Sequence, residues 1–433
     1  MRRRGLASLT WASVQDLFDQ STAFGRLALV HVVMMAGDTL VTVSLAGSLF
    51  FSVSPTEAKT KVLAYLLLTI APFAVVSPIL GPLIDRSANG RRIIVALSAG
   101  VRVVLCWSMS QHLNSFWLFP EAFFVLISSK LYGVTRGALV PEMARTDQFR
   151  EHANDVGGAG WPSEGISQVR GFAGFNAQLT LLGTLSGILA GSLGATILKT
   201  LGATSVLVVA AAVFVLGTVA SVRLQRPARV VRDDVLMTPE ERDLQALSPL
   251  GAGEVTWGLS ASALMRFGVG FATFLLAFGL RRDHAGLEWF AYALSASALG
   301  SLLGLGLVTR VRNQLAESTL LALAVLATGV GAGVASRHPT LIAQTVLAGW
   351  LGLCAAVAQP SFDAITQRLV PTGAQGRTFA RFAVRQQLLW VVGALIPVAI
   401  SLNFGVGDQF LSLMMLVGGV VYVVGRKVSY HGI

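Results

Sequence analysis

The feature that most constrains this chain is a series of apolar runs, each about as long as a bilayer is thick. A helix needs about 20 mostly apolar residues to cross a hydrocarbon layer of ~30 Å. Twelve such runs can be marked, near 27–51, 61–84, 93–111, 115–137, 171–197, 203–223, 256–280, 287–308, 318–336, 339–362, 380–402 and 408–426. A backbone in hydrocarbon has no water to bond, so a segment of this length satisfies itself as a helix. The expected fold class is an all-α membrane protein with twelve transmembrane helices. Composition agrees, since only 13% of the 433 residues are Asp, Glu, Lys or Arg and 54% are apolar. A soluble chain carries roughly 25% charged residues. Disorder, collagen and an ordinary cytosolic enzyme are excluded.

The net charge of +11 could suggest a nucleic-acid partner, but its distribution has a simpler reading. With the N-terminus inside and the runs alternating, 24 of the 33 Lys and Arg fall in inside segments and 6 in outside ones. Positive residues mark cytoplasmic loops. Both termini are therefore expected in the cytoplasm, with the chain in the inner (cytoplasmic) membrane and no nucleic acid involved.

Organisation follows from the spacing of the runs. Residues 1–26 read as a cytoplasmic leader. Within it Trp11, Val14, Leu17 and Phe18 share one helical face, which suits a short helix lying on the membrane surface. The charged stretch 224–255 divides the runs six and six. It is read as a cytoplasmic linker between an N-terminal six-helix bundle over 27–223 and a C-terminal one over 256–433. The halves echo each other. Leu139-Val140-Pro141 returns as Leu369-Val370-Pro371, 230 residues later. Arg170-x-Phe172-Ala173-x-Phe175 returns as Arg377-x-Phe379-Ala380-x-Phe382, 207 residues later. The first half thus carries about 23 extra residues within 142–169. Parallel six-helix repeats are a known transporter design.

After the second run stands Gly81-Pro82-Leu83-Ile84-Asp85-Arg86-Ser87-Ala88-Asn89-Gly90-Arg91-Arg92. Gly81 removes a side chain where helices approach. Asp85 can accept backbone N–H bonds at the start of the third run. Gly90 permits a tight turn. With an insertion before Gly90, this stretch resembles the signature loop of the major facilitator superfamily. That resemblance implies two pseudo-symmetric bundles, a small-molecule substrate and alternating access. It also implies a cytoplasmic gate in which Gly81, Asp85, Arg86, Gly90, Arg91, Arg92 and the nearby Arg136 take part. The plain alternative is a positive-inside loop with a helix cap. Ala138-Leu139-Val140-Pro141-Glu142, with Ala153-Asn154, looks like the loop after the fourth span in bacterial macrolide and enterobactin exporters. The fifth run carries Gly183, Gly187, Gly191 and Gly194, with Ile188 where many drug antiporters have proline. Glycines at this spacing let helices pack closely.

Charges inside a span cost on the order of 3 kcal/mol or more and mark functional candidates. Asp38 lies halfway along the first run and Arg266 about ten residues into the seventh. They are read as facing the central cavity that the resemblance implies, paired with each other or touching substrate. Asp38 is also the candidate for proton coupling. Lys130, on the fourth run, is a cavity residue or a snorkelling one. Arg102, on the third, is read as structural or lipid-facing. His31 is read as a packing residue, and Gln344 and Gln359 as polar cavity candidates. Arg266 and Lys130 against Asp38 leave an excess of positive charge, which suits an anionic solute.

Other chemistries find no support in the sequence. Cys106 and Cys354 lie in apolar runs with no CxxC or His/Cys cluster, so no metal, cofactor or disulfide framework is expected. There is no HExxH, GxSxG or phosphate-binding loop, so neither an enzyme nor a primary pump is expected. The reading is a monomeric secondary transporter, a proton-coupled exporter. A lysophospholipid or siderophore carrier and a non-transporting receptor or scaffold are the alternatives.

Overall fold

The computed structural model describes residues 21–45, 88–113, 115, 117–155, 172–224, 249–283, 285, 288–311, 314–371 and 374–431. The run at 61–84, the leader over residues 1–20, the motif residues Gly81, Asp85 and Arg86, and the linker over 225–248 lie outside them. Among the described residues the chain forms ten helices and no strand. They are α1 (Ala23–Leu45), α2 (Ala88–Gln111), α3 (Leu118–Asp155), α4 (Phe172–Val222), α5 (Pro249–Arg282), α6 (Glu288–Val311), α7 (Glu317–Ala335), α8 (Leu341–Leu369), α9 (Gln375–Ala399) and α10 (Phe404–His431). All ten are long and apolar enough to cross a membrane.

Helix α4 is two helices joined at one residue. Its 51 residues would run about 76 Å at 1.5 Å per residue, more than twice the hydrocarbon thickness. Gly202 breaks it, with φ 82° and ψ 172°, a conformation open essentially to glycine alone. The break falls between the runs at 171–197 and 203–223.

Helices α3 and α8 run furthest past their expected ends. α8 runs on to Leu369, beyond 362, with Pro360 inside it. α3 passes through Pro141, where the run and a helix-breaking residue both argue for a stop, and continues to Asp155. That extension occupies the start of the 23-residue excess of the first half. It also has a use: the Asp147 carboxylate accepts the backbone N–H groups of Ala23 (2.6 Å) and Phe24 (2.8 Å). They belong to the first turn of α1, whose N–H groups the helix itself cannot satisfy.

The helices gather into two compact units. The first comprises Met1–Gly165, Gln178–Val230 and Thr372–Arg381; the second comprises Ile166–Ala177, Val231–Pro371 and Phe382–Ile433. In the first, α3 packs on both α1 and α2. The glycine series of α4 lies against α1: a Cβ at Gly183 would overlap the His31 ring, one at Gly187 would press on Thr39, and one at Gly194 would meet Leu40. The series is therefore a helix-packing surface. In the second unit α8 packs on α5, α6 and α7, and α10 on α5 and α7. Here glycines bring backbones together. A Cβ at Gly300 would overlap the Gly349 carbonyl and one at Gly352 the Ser297 carbonyl; one at Gly270 would overlap the Trp390 carbonyl. Lipid tails are as apolar as leucine, so close packing holds such helices together rather than the hydrophobic effect. The outward faces stay apolar, with Leu189, Leu193, Leu303, Val346 and Val428 all exposed.

Candidate functional site

Polar residues inside the first unit line up along one seam between α1 and α3. Asp38 and His31 are seven apart on α1, about two turns, and so share a face. Ser129, Tyr132 and Arg136 share a face of α3, which runs antiparallel to it. At one end the Asp38 carboxylate accepts from Ser129 Oγ (2.7 Å) and from Arg102 Nη1 of α2 (2.6 Å). At the other, His31 Nδ1 lies 3.0 Å from the Tyr132 hydroxyl, and its Nε2 lies 3.2 Å from Arg136 Nη1. A guanidinium only donates. His31 Nε2 is therefore the acceptor, and Nδ1–H is free to donate to Tyr132.

Arg102 is the centre of this seam. Its side chain is fully buried. Its Nε donates to the Ser98 carbonyl (2.9 Å), and Nη2 reaches Ser98 Oγ (3.4 Å) and Met34 Sδ (3.5 Å). The guanidinium carbon sits 4.8 Å from the Phe214 ring centroid and 5.8 Å from that of Tyr132. A buried charge is tolerable only when paired and hydrogen-bonded on several sides, and each guanidinium nitrogen has a partner. Arg102 is thus structural, as read from the sequence, but faces the protein interior. Asp38 has its partner within its own unit. Lys130, next to Ser129, is half-buried.

The second unit holds a different constellation. Arg266 of α5 is exposed, and its Nη2 donates to Gln359 Oε1 of α8 (3.3 Å). Gln359 Nε2 donates in turn to Asp363 Oδ1 (2.8 Å). An arginine and a carboxylate are thus linked through one amide on otherwise apolar helices. Asp363 escaped the sequence reading because the tenth run was closed at 362. Its spacing of four from Gln359, one helical turn, is the signal that could have found it.

The described part of the signature motif sits at helix ends. Gly90, Arg91 and Arg92 lie near the start of α2. Arg91 Nη1 lies 3.4 Å from Glu142 Oε2 and 3.5 Å from the Ala138 carbonyl, near the turn where Pro141 has no N–H to give. Arg92 Nη2 donates to the Val222 carbonyl (2.9 Å) and Arg26 Nη1 to the Arg223 carbonyl (3.3 Å). Both cap the C-terminal end of α4, where free carbonyls attract cations.

No family model matches the chain. An uncharacterized protein of Mycobacterium leprae (strain TN) is 28% identical over 96% of this chain and 70% of its own length. Uncharacterized proteins of two Mycobacterium tuberculosis strains, CDC 1551 / Oshkosh and ATCC 25618 / H37Rv, are each 35% identical over 44% of this chain. The match spans only 32% of their own length. Three solved structures are similar over nearly the whole chain. The human organic anion transporter TETRAN has a TM-score of 0.64 at 14% identity, covering 94% of this chain and 99% of that one. The major facilitator superfamily transporter FucP, in the outward conformation, gives 0.63 at 13%, with 93% and 98% covered. A bacterial homologue of the iron transporter ferroportin, in an outward-facing state with soaked iron, gives 0.65 at 14%, with 94% and 99% covered. These likenesses establish the architecture: the chain has the fold of the major facilitator superfamily.

Proposed function

We propose that the chain is a secondary active transporter that moves a small amphipathic or anionic solute across the cytoplasmic membrane by alternating access, its export coupled to protons that move down their gradient. The observation that carries this reading is the Arg266–Gln359–Asp363 constellation, with Arg266 exposed, set on apolar helices of a fold shared with three transporters. The proposed topology has twelve spans, the run at 61–84 being one, in bundles over 27–223 and 256–433. Both termini and the 224–255 linker are cytoplasmic, and the working form is a monomer.

Arg266 is the proposed solute contact, with Lys130 as a second cation. Asp363 moderates the charge at Arg266, so Lys130 carries much of the positive excess. One structural neighbour is an organic anion transporter, which is consistent with an anionic solute. Asp38 is the proposed coupling carboxyl. A proton on it would cancel the charge that Arg102 faces and loosen the α1–α2 contact, which links protonation to helix movement. Arg91, Arg92 and Arg136, with Gly81, Asp85, Arg86 and Gly90, are the proposed cytoplasmic gate.

The test is flux of a fluorescent organic anion in proteoliposomes, with and without an imposed pH gradient. Wild type should move the anion faster with the gradient. Arg266→Ala should lose flux by ten-fold or more, and Asp38→Asn should lose the gradient effect while keeping exchange. Equal flux in empty and loaded liposomes for a panel of anions would overturn the reading.

A further inference from the structure

Outside the constellations above, one acid is buried with half its bonding unmet. Asp408 lies in the second turn of α10 and is 0% exposed. Its Oδ2 accepts from Gln344 Nε2 of α8 at 2.5 Å, and Gln344 is itself 5% exposed. Its Oδ1 is buried with no hydrogen-bond partner among the described residues. Close by, the Leu275 side chain of α5 fills the space beside Gly407, and the Phe404 ring covers Gly279.

The charged groups on the elements around this end of α10 are all exposed. Arg282, at the end of α5, donates to the Leu402 carbonyl, and Asp283 pairs with Arg282 at 3.4 Å. Arg337 and His338 lie in the turn between α7 and α8. The other charges of α5, α7 and α8 (Glu254, Arg266, Glu317, Asp363 and Arg368) lie in the middle or at the opposite ends of those helices. None of these groups bonds Asp408 among the described residues.

We propose that Asp408 is a proton-binding carboxyl of the second unit, distinct from Asp38. An ionised carboxylate in this place would be a buried charge with one neutral donor and no counter-ion, which is strongly unfavourable. A hard metal cation would need a shell of about six oxygens, whereas an amide N–H occupies Oδ2 and, among the described residues, no group of three or more His, Cys, Asp or Glu side chains gathers to hold a metal. A proton fits both oxygens. The O–H bond forms on Oδ1, and Oδ2 remains the carbonyl acceptor for Gln344. Release requires only that water reach Oδ1. In the proposed topology this is the outer end of the protein. The site depends on no particular solute, so it stands or falls separately from the transport reading.

The experiment is pH-difference infrared spectroscopy of the full chain in liposomes. Wild type should show the C=O band of a protonated carboxyl that disappears as the pH is raised. Asp408→Asn should lose that band and Asp38→Asn should keep it. Gln344→Leu, which leaves the carboxyl in place but removes its donor, should shift the band in frequency. It also serves if the Asp408 variant fails to insert. No titrating band in wild type, no band lost in Asp408→Asn, loss of that same band in Asp38→Asn, or an unshifted band in Gln344→Leu would each overturn the proposal.

Discussion

Arg102 of α2 meets Asp38 of α1 in the first unit; in the second, the residue 226 further along than Arg102 is Thr328 of α7, which donates to the Ala324 carbonyl and lies 3.6 Å from Met265 Sδ of α5. An ion pair between a buried arginine and a half-buried aspartate in one unit is matched by a hydroxyl and a thioether in the other. The helix-end bridges differ in another way. Arg91 of α2 pairs with Glu142 of α3 at 3.4 Å. The residues 226 later, Glu317 of α7 and Arg368 of α8, approach to 3.9 Å with the charges exchanged. Arg368 also holds Glu254 of α5 at 2.9 Å. The offset of 226 is four less than the 230 between the two Leu-Val-Pro tripeptides, about one helical turn, so the same faces meet. The lesson is that the repeat preserves where helices touch and leaves free what chemistry joins them. The first unit locks Asp38 and Arg102 against each other. The second packs with neutral groups and close backbones and leaves Arg266 exposed.

The sharpest way to break this comparison is to remove the locked charge. Arg102→Ala strands Asp38, and should destabilise the protein by about 3–5 kcal/mol. Thr328→Val should cost within about 1 kcal/mol. Reversible unfolding in detergent measures both, and similar losses would erase the distinction. The Asp38→Ala, Arg102→Ala double variant should recover part of the loss.

The span connections come next. The first unit joins two spans through Gly202 alone, whereas the second separates α9 from α10 by residues 400–403, with Asn403 Oδ1 accepting from Val406 N at 2.8 Å. Gly202→Ala should cost about 1–3 kcal/mol, because its conformation is closed to a Cβ. Substitution of Ile400 by Ala in the longer turn should cost less, read as the shift in unfolding midpoint.

The inverted bridges give a smaller effect. Arg368→Ala leaves Glu254 and Glu317 without their common cation and should cost about 1–2 kcal/mol. Arg91→Ala leaves one acid and should cost roughly half that. An Arg91→Glu, Glu142→Arg exchange, which copies the polarity of the second unit, should restore stability. The smallest expected change is at Asp147, an N-cap for α1 supplied from α3. Asp147→Ala should cost about 1 kcal/mol and speed hydrogen exchange at the amides of Ala23 and Phe24 specifically.

Much of the fold is legible in the runs themselves. A spanning helix is defined by about twenty apolar residues in sequence, so each described helix overlaps an expected run, and Gly202 falls in the gap between two of them. The packing role of Gly183, Gly187 and Gly194 is also legible, because small residues four apart face one way. Helix ends are less so. Pro141 costs α3 one backbone bond, yet the helix continues where the Arg91 side chain reaches a nearby carbonyl and Asp147 finds α1. Asp363 and Asp408 fell at the edges of their runs, one just past and one at the first position, and a residue at an edge carries no sign of its burial.

By itself the sequence determined that the chain spans a membrane as helices, because backbone bonding in hydrocarbon leaves no other choice for such runs. It also showed two halves that echo each other, and placed Asp38, Arg102, Lys130 and Arg266 within spans. Only the tertiary structure decided what those charges do. Pairing depends on which helix faces meet, and faces separated by more than sixty residues of chain leave no local pattern. That is why Arg102 proved to be the partner of Asp38, why Gln359 joins Arg266 to Asp363, and why Asp408 stands buried with a single donor.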